Sequence, residues 1–113
     1  MQPELLKYIL DIESVIEEIE SIKQETQNNF NNFSENIILQ RAVERDLEII
    51  GEAIRKITKI KPNIHITATK NIIGLRNIIS HAYDSVEPEM LWGIIQKNIP
   101  VLAIEIQRLK SSQ

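Results

Sequence analysis

Between Leu39 and Ile57 the apolar residues Leu39, Val43, Leu47, Ile50, Ile54 and Ile57 recur at steps of four and three. Such steps return each side chain to one side of an α-helix, and a strand, with its period of two, cannot use them. The other side carries Arg41, Glu44, Arg45, Glu48, Glu52, Arg55 and Lys59, so an amphipathic helix over about residues 35–60 is predicted. Isoleucine favours strands by intrinsic propensity, but its spacing here is helical, and pattern outranks propensity. The interleaved arginines and glutamates predict a solvated or interfacial face supported by i, i+4 pairing. Gly51 inside this helix costs about 1 kcal/mol relative to alanine.

The rest of the chain supplies partners for that stripe. Pro3 and Glu4 suit a first helical turn, and Leu5, Ile9, Ile12, Ile16 and Ile19 extend it into a first helix over about residues 3–23. From Gln24 to Phe33 the run of Gln, Asn and Thr with two Phe breaks the period and predicts a connecting loop, after which Ser34 is the expected cap of the second helix. Lys61-Pro62-Asn63 ends that helix, because proline lacks a donor and disfavours helical geometry in the residue before it. A short link through Ile66 leads to Thr67, the expected cap of a third helix. Residues 84–89 form a loop and helix start. A fourth helix carries Leu91, Ile95, Ile99, Leu102, Ile106 and Leu109, kinked at Pro100 by loss of the hydrogen bond to Gln96. Four amphipathic helices on short links predict an all-α, antiparallel four-helix bundle filling 1–113 as one domain.

Charge and composition narrow the function classes. The chain has no cysteine, which removes disulfides and thiolate metal sites. Met1-Gln2-Pro3-Glu4 lacks the basic and apolar parts of a signal peptide, and no apolar run reaches spanning length, so a cytoplasmic protein without a membrane partner is expected. The net charge of −3 gives no global attraction to nucleic acid, and any such binding must rest on a local basic patch.

Chemistry concentrates in Leu75-Arg76-Asn77-Ile78-Ile79-Ser80-His81-Ala82-Tyr83. Drawn as a helix, Ala68, Ile72, Leu75, Ile78, Ile79 and Ala82 share roughly 120° of one side, while Arg76, Asn77, Ser80 and His81 take the opposite side, with Tyr83 beside Arg76. A guanidinium suits phosphate oxygens and an imidazole exchanges protons near neutral pH, which together point to phosphodiester chemistry. For RNA, a general base, a general acid and a guanidinium suffice without a metal or cofactor. Arg76 and His81 diverge by about 140° on one ideal helix, so a second copy of the motif across a two-fold axis would complete a site. The same spacing also arises by chance. Tyr83 alone reads as a helix-end aromatic, His65 as a surface residue, Trp92 as core or interface, and Glu44, Glu48 and Glu52 as a charge-laced face rather than a metal cluster.

Arg76-Asn77-Ile78-Ile79-Ser80-His81-Ala82-Tyr83 resembles the Arg-x4-His-x-Tyr motif of the HepT-like branch of the HEPN superfamily. Asp46-Leu47-Glu48-Ile49-Ile50-Gly51-Glu52-Ala53-Ile54 is similar to that branch's second-helix segment, and Leu91-Trp92-Gly93-Ile94-Ile95 through Ile99-Pro100-Val101-Leu102 to its last helix. The link departs from the family, which commonly has a proline and a tryptophan where this chain has Ile64-His65-Ile66. The resemblance implies a helical bundle that dimerises so that two motifs line one cleft. It further implies metal-independent RNA cleavage by the toxin of a toxin–antitoxin pair, whose antitoxin, a minimal nucleotidyltransferase, adds AMP to the motif tyrosine. Carried over, Arg76 and His81 are catalytic, Asn77 and Ser80 supporting, and Tyr83 the AMP acceptor. Two other classes fit the same residues: a non-catalytic nucleotide- or protein-binding module, and a structural helical dimer.

Overall fold

The computed structural model describes residues 2–67, 72 and 87–112, and every element among them is helical. Helix α1 spans Pro3–Glu25, with proline in its first turn, Glu4 at its positive end and Lys23 in its last turn. Its buried face is Leu5, Ile9, Ile12, Val15, Ile19 and Ile22, while Ile16 sits half-buried at the edge. The helix stops where Gln27 and Asn28 turn left-handed, at φ 57° and 52°. Asn28 N–H then donates back to the Lys23 carbonyl at 2.7 Å, and the Thr26 hydroxyl donates to the same oxygen at 2.9 Å. These bonds satisfy carbonyls that the end of a helix leaves without partners.

The segment expected as a loop holds a helix of its own, α2, over Phe30–Ser34. Asn29 caps it, accepting from Asn32 N–H at 3.0 Å. The cause is tertiary. Phe33 is fully buried, and Trp92 packs against both phenylalanines, with ring centroids 5.1 Å from Phe33 and 6.0 Å from Phe30. Ser34 does not cap the next helix; its hydroxyl donates within α2, to the Asn31 carbonyl at 3.0 Å. The cap is Asn36, whose side chain accepts from Leu39 N–H at 3.1 Å.

Helix α3 runs from Ile37 to Ile60 and buries the predicted stripe, with Leu39 half-buried at its start. Gln40 joins it to α2 by donating to the carbonyls of Phe33 and Ser34 at 2.9 and 3.0 Å. The charged side pairs at a spacing of three rather than four: Arg41 with Glu44, Arg45 with Glu48, Glu52 with Arg55. Among the first four of these residues the i, i+4 neighbours are like-charged, so only the shorter step brings opposite charges together.

The last helical stretch comprises α4 over Pro88–Gly93, a π-turn over Ile94–Asn98 and α5 over Ile99–Ser111. Pro100, expected to kink a helix, stands just after the π-turn, where the backbone widens instead of breaking. Ile99 N–H reaches back five residues to the Ile94 carbonyl, and Pro100 has no N–H to give. The Ile95 carbonyl is thus left over, and Lys23 Nζ of α1 donates to it at 3.4 Å. Helix α1 packs along α3 on one flank and α5 on the other, and α2 closes one end against α3 and α4. Among the described residues, no helix is long and apolar enough to cross a membrane.

Phe33→Ala removes the ring that fixes α2 to the core. Its unfolding free energy in a urea titration is expected to fall by about 3–5 kcal/mol.

Candidate active site

The chain approaches the motif under tight control. Ile66 is buried, and the next residue, Thr67, is held by α5: its N–H donates to both Glu105 carboxylate oxygens at 3.1 and 3.0 Å, and its hydroxyl donates to Oε2 at 2.8 Å. Charge-assisted bonds of this kind are about twice as strong as neutral ones. Ile72 is fully buried. Two anchors, one polar and one apolar, therefore precede Arg76, and the chain is in helix again from Pro88. Arg76, Asn77, Ser80, His81 and Tyr83, with the predicted third helix that carries them, lie outside the described residues. The expected capping role of Thr67 toward that helix lies outside them too; what the structure describes is its clasp on Glu105.

The three glutamates of α3 do not converge. Each faces its own arginine, and Glu44 is buried at 5% exposure with both carboxylate oxygens on Arg41 Nη1 at 3.0 and 2.7 Å. The face is thus charge-laced as expected, but not solvated throughout. His65 is exposed on the link, as read from the sequence, and Trp92 belongs to the aromatic cluster with Phe30 and Phe33.

Sequence reasoning missed Asp46. It is 3% exposed, and its Oδ2 is buried with no hydrogen-bond partner. Burial pushes its carboxyl up from 3.8 to about 7; Glu18, on α1, raises it further, and the neighbouring Arg45 opposes. A signal was present: Asp46 lies three residues after Val43 and four before Ile50, on the core row itself. Such a group is tolerated mainly as the neutral acid, since an unpaired buried carboxylate is far more costly.

Comparison with known proteins places the chain in a family. Residues 12–109 match the family described as Ribonuclease HepT-like. A protein of Thermococcus cleftensis named "Probable ribonuclease HepT" is 33% identical over 104 residues, 91% of this chain and 93% of its own. A candidate RNase of Caldanaerobacter subterraneus subsp. tengcongensis is 31% identical over 109 residues, 96% of this chain and 92% of its own. A candidate RNase of Methanocaldococcus jannaschii is 35% identical over 80 residues, 70% of this chain and 73% of its own. No solved structure matches.

Asp46 makes stability depend on pH with a definite sign. Its pKa is higher in the folded chain than in the unfolded one, so between about pH 4 and pH 7 the folded state holds the extra proton and stability falls as pH rises. Below that window its contribution is constant, and above it the loss is complete. Asp46→Asn is expected to flatten this part of the profile and to be more stable than the parent at pH 8, as urea titrations across the range will read.

Proposed function

Because this chain belongs to the HepT-like ribonuclease family, we propose that it is a metal-independent endoribonuclease acting in the cytoplasm as the toxin of a toxin–antitoxin pair. The observation that carries this reading is the family match over 12–109, a span that contains Arg76-x4-His81-x-Tyr83 intact. Relatives covering most of the chain are themselves named as ribonucleases. The clasp of Thr67 on Glu105 and the burial of Ile72 support it as well, since a constellation is useful only on a fixed mount.

In the proposed reaction the 2′-hydroxyl of RNA attacks its own phosphodiester. The P–O5′ bond breaks as the P–O2′ bond forms, leaving a 2′,3′-cyclic phosphate and a 5′-hydroxyl. His81 moves the proton, from the attacking hydroxyl or to the leaving oxygen, and Arg76 holds the charge that builds on the phosphorane. A single imidazole performs one of these transfers at a time, so two motifs facing each other in a homodimer provide both. Asn77 and Ser80 add hydrogen-bonding capacity beside the guanidinium. An AMP placed on Tyr83 by a nucleotidyltransferase partner brings negative charge next to Arg76, where it competes with the RNA phosphate and silences cleavage.

With purified protein and a single-stranded RNA, cleavage is expected to persist in EDTA and to vanish in His81→Ala, with the circular dichroism unchanged. Arg76→Lys is also expected to fail, because an ammonium keeps the charge but loses the planar fork. Cleavage that stops on chelation and returns with Mg²⁺ contradicts the metal-free chemistry.

Incubation with the partner nucleotidyltransferase and ATP is expected to add an AMP-sized increment to the intact mass and to suppress cleavage. Tyr83→Phe is expected to show neither change. An increment that persists in the phenylalanine variant assigns the modification elsewhere.

A further inference from the structure

The cations of this acidic chain are unevenly partnered. Lys7, Lys23, Arg41, Arg45, Arg55 and Lys110 each face a carboxylate within ion-pair distance. Among the described residues, Lys56, Lys59, Lys61 and Arg108 take none: the first two lie toward the end of α3, Lys61 on the link and Arg108 in the last turn of α5; Lys97, in the π-turn, is the remaining case.

The link and α5 border an open groove. It consists of two recesses of about 360 and 410 Å³ that share Ile64, Leu109 and Ser112 as walls. Lys61 lines one recess, His65 and Arg108 the other. Half-buried Ile64 and Leu109 make an apolar floor between them. Among the described residues Glu105 is the one acid lining either recess, and Thr67 hydrogen-bonds its carboxylate but leaves its charge in place. Lys61 and Arg108 thus outnumber that acid, and among the described residues the groove carries an excess of positive charge around an apolar base, on a chain whose net charge is −3. That combination, cations spaced about an apolar floor with an imidazole at the rim, suits a strand that offers phosphates and unstacked bases. A duplex hides its base faces and cannot use the floor. Thr67, next in sequence to Ile66 of the groove's lining, precedes Arg76 by nine positions in the sequence.

We infer that the groove between the 61–66 link and α5 is a binding site for single-stranded RNA, in which Lys61 and Arg108 hold backbone phosphates and Ile64 and Leu109 receive a base. This deepens the ribonuclease reading and rests on it for the identity of the strand.

The test measures binding apart from cleavage. In the His81→Ala background, fluorescence anisotropy with a labelled single-stranded RNA is followed across a salt series, with the same RNA as a duplex in parallel. Adding Lys61→Gln and Arg108→Gln is expected to weaken single-strand binding about 10-fold and to reduce the salt slope by about 1.4, two phosphate contacts at ~0.7 each. Both replaced side chains lie at the surface of the groove, and a thermal melt confirms that the fold is kept. Lys97→Gln is the control and is expected to leave affinity and slope as they were. The inference is overturned if the double variant binds as its parent does, if Lys97→Gln weakens binding equally, if the duplex binds as well as the single strand, or if the parent binds no RNA. Cleavage by the unsubstituted chain is scored separately. Cleavage with unaltered binding in the double variant removes the groove and keeps the ribonuclease, whereas lost binding without any cleavage by the unsubstituted chain does the reverse.

Discussion

The contact between α1 and α3 carries the structure. Two helices of 23 and 24 residues lie against each other, and the residues between them are mostly isoleucine, many with no exposure at all. Isoleucine is stiff at its first side-chain torsion, so two such faces interlock with little loss of rotamer freedom. Burying side chains of this size contributes roughly 1.5–3 kcal/mol each before chain entropy is set against it. The other described helices dock on that pair: α5 on the other flank of α1, and the aromatic cluster of α2 and α4 at one end. Only a foundation of this kind can hold Asp46 in place, since its unpartnered oxygen contributes nothing favourable to packing.

Function is mounted on this foundation at two levels. The candidate catalytic residues belong to the stretch between Thr67 and Pro88, and what the described residues supply is its attachment. At one end three hydrogen bonds tie the chain to Glu105; at the other, Pro88 begins the helix that leads to Glu105 itself. The same carboxylate lines the neighbouring groove, where its charge offsets part of that of Lys61 and Arg108. One acidic side chain thereby anchors the approach to the motif and limits the positive charge beside it.

How far the sequence was legible varies with the range of the interactions involved. The α3 stripe was plain because its period is local and strong, and the end of α3 at Lys61-Pro62 because proline acts on its immediate neighbour. Helix α2 was hidden, since Phe30 and Phe33 stand three apart in a polar run and gain their helix only by meeting Trp92, which is remote in sequence. Ser34 and Asn36 are both good caps, and the choice fell to Asn36 because Ser34 was already the last residue of another helix. Asp46 lay on a core row, but the stripe was traced through apolar residues alone and passed it over. The clasp between Thr67 and Glu105 spans 38 positions, and no local pattern announces it. The motif was read from its chemistry and its resemblance to a family, and its residues lie outside those the structure describes.

The π-turn before Pro100 ties three separate positions into one structural unit. A π-turn holds one residue more than an α-turn, and it absorbs that residue locally while the helix on each side keeps its heading. A related chain shorter by one residue here would close an ordinary turn and present the same core. It would then have to abandon proline at the next position, whose ring demands an open carbonyl behind it. It would also leave the ammonium of Lys23 without the backbone oxygen it now meets. Chain length in this turn, the proline and the lysine on α1 are thus expected to change together over descent, so that a gap in one helix is answered by a substitution in another.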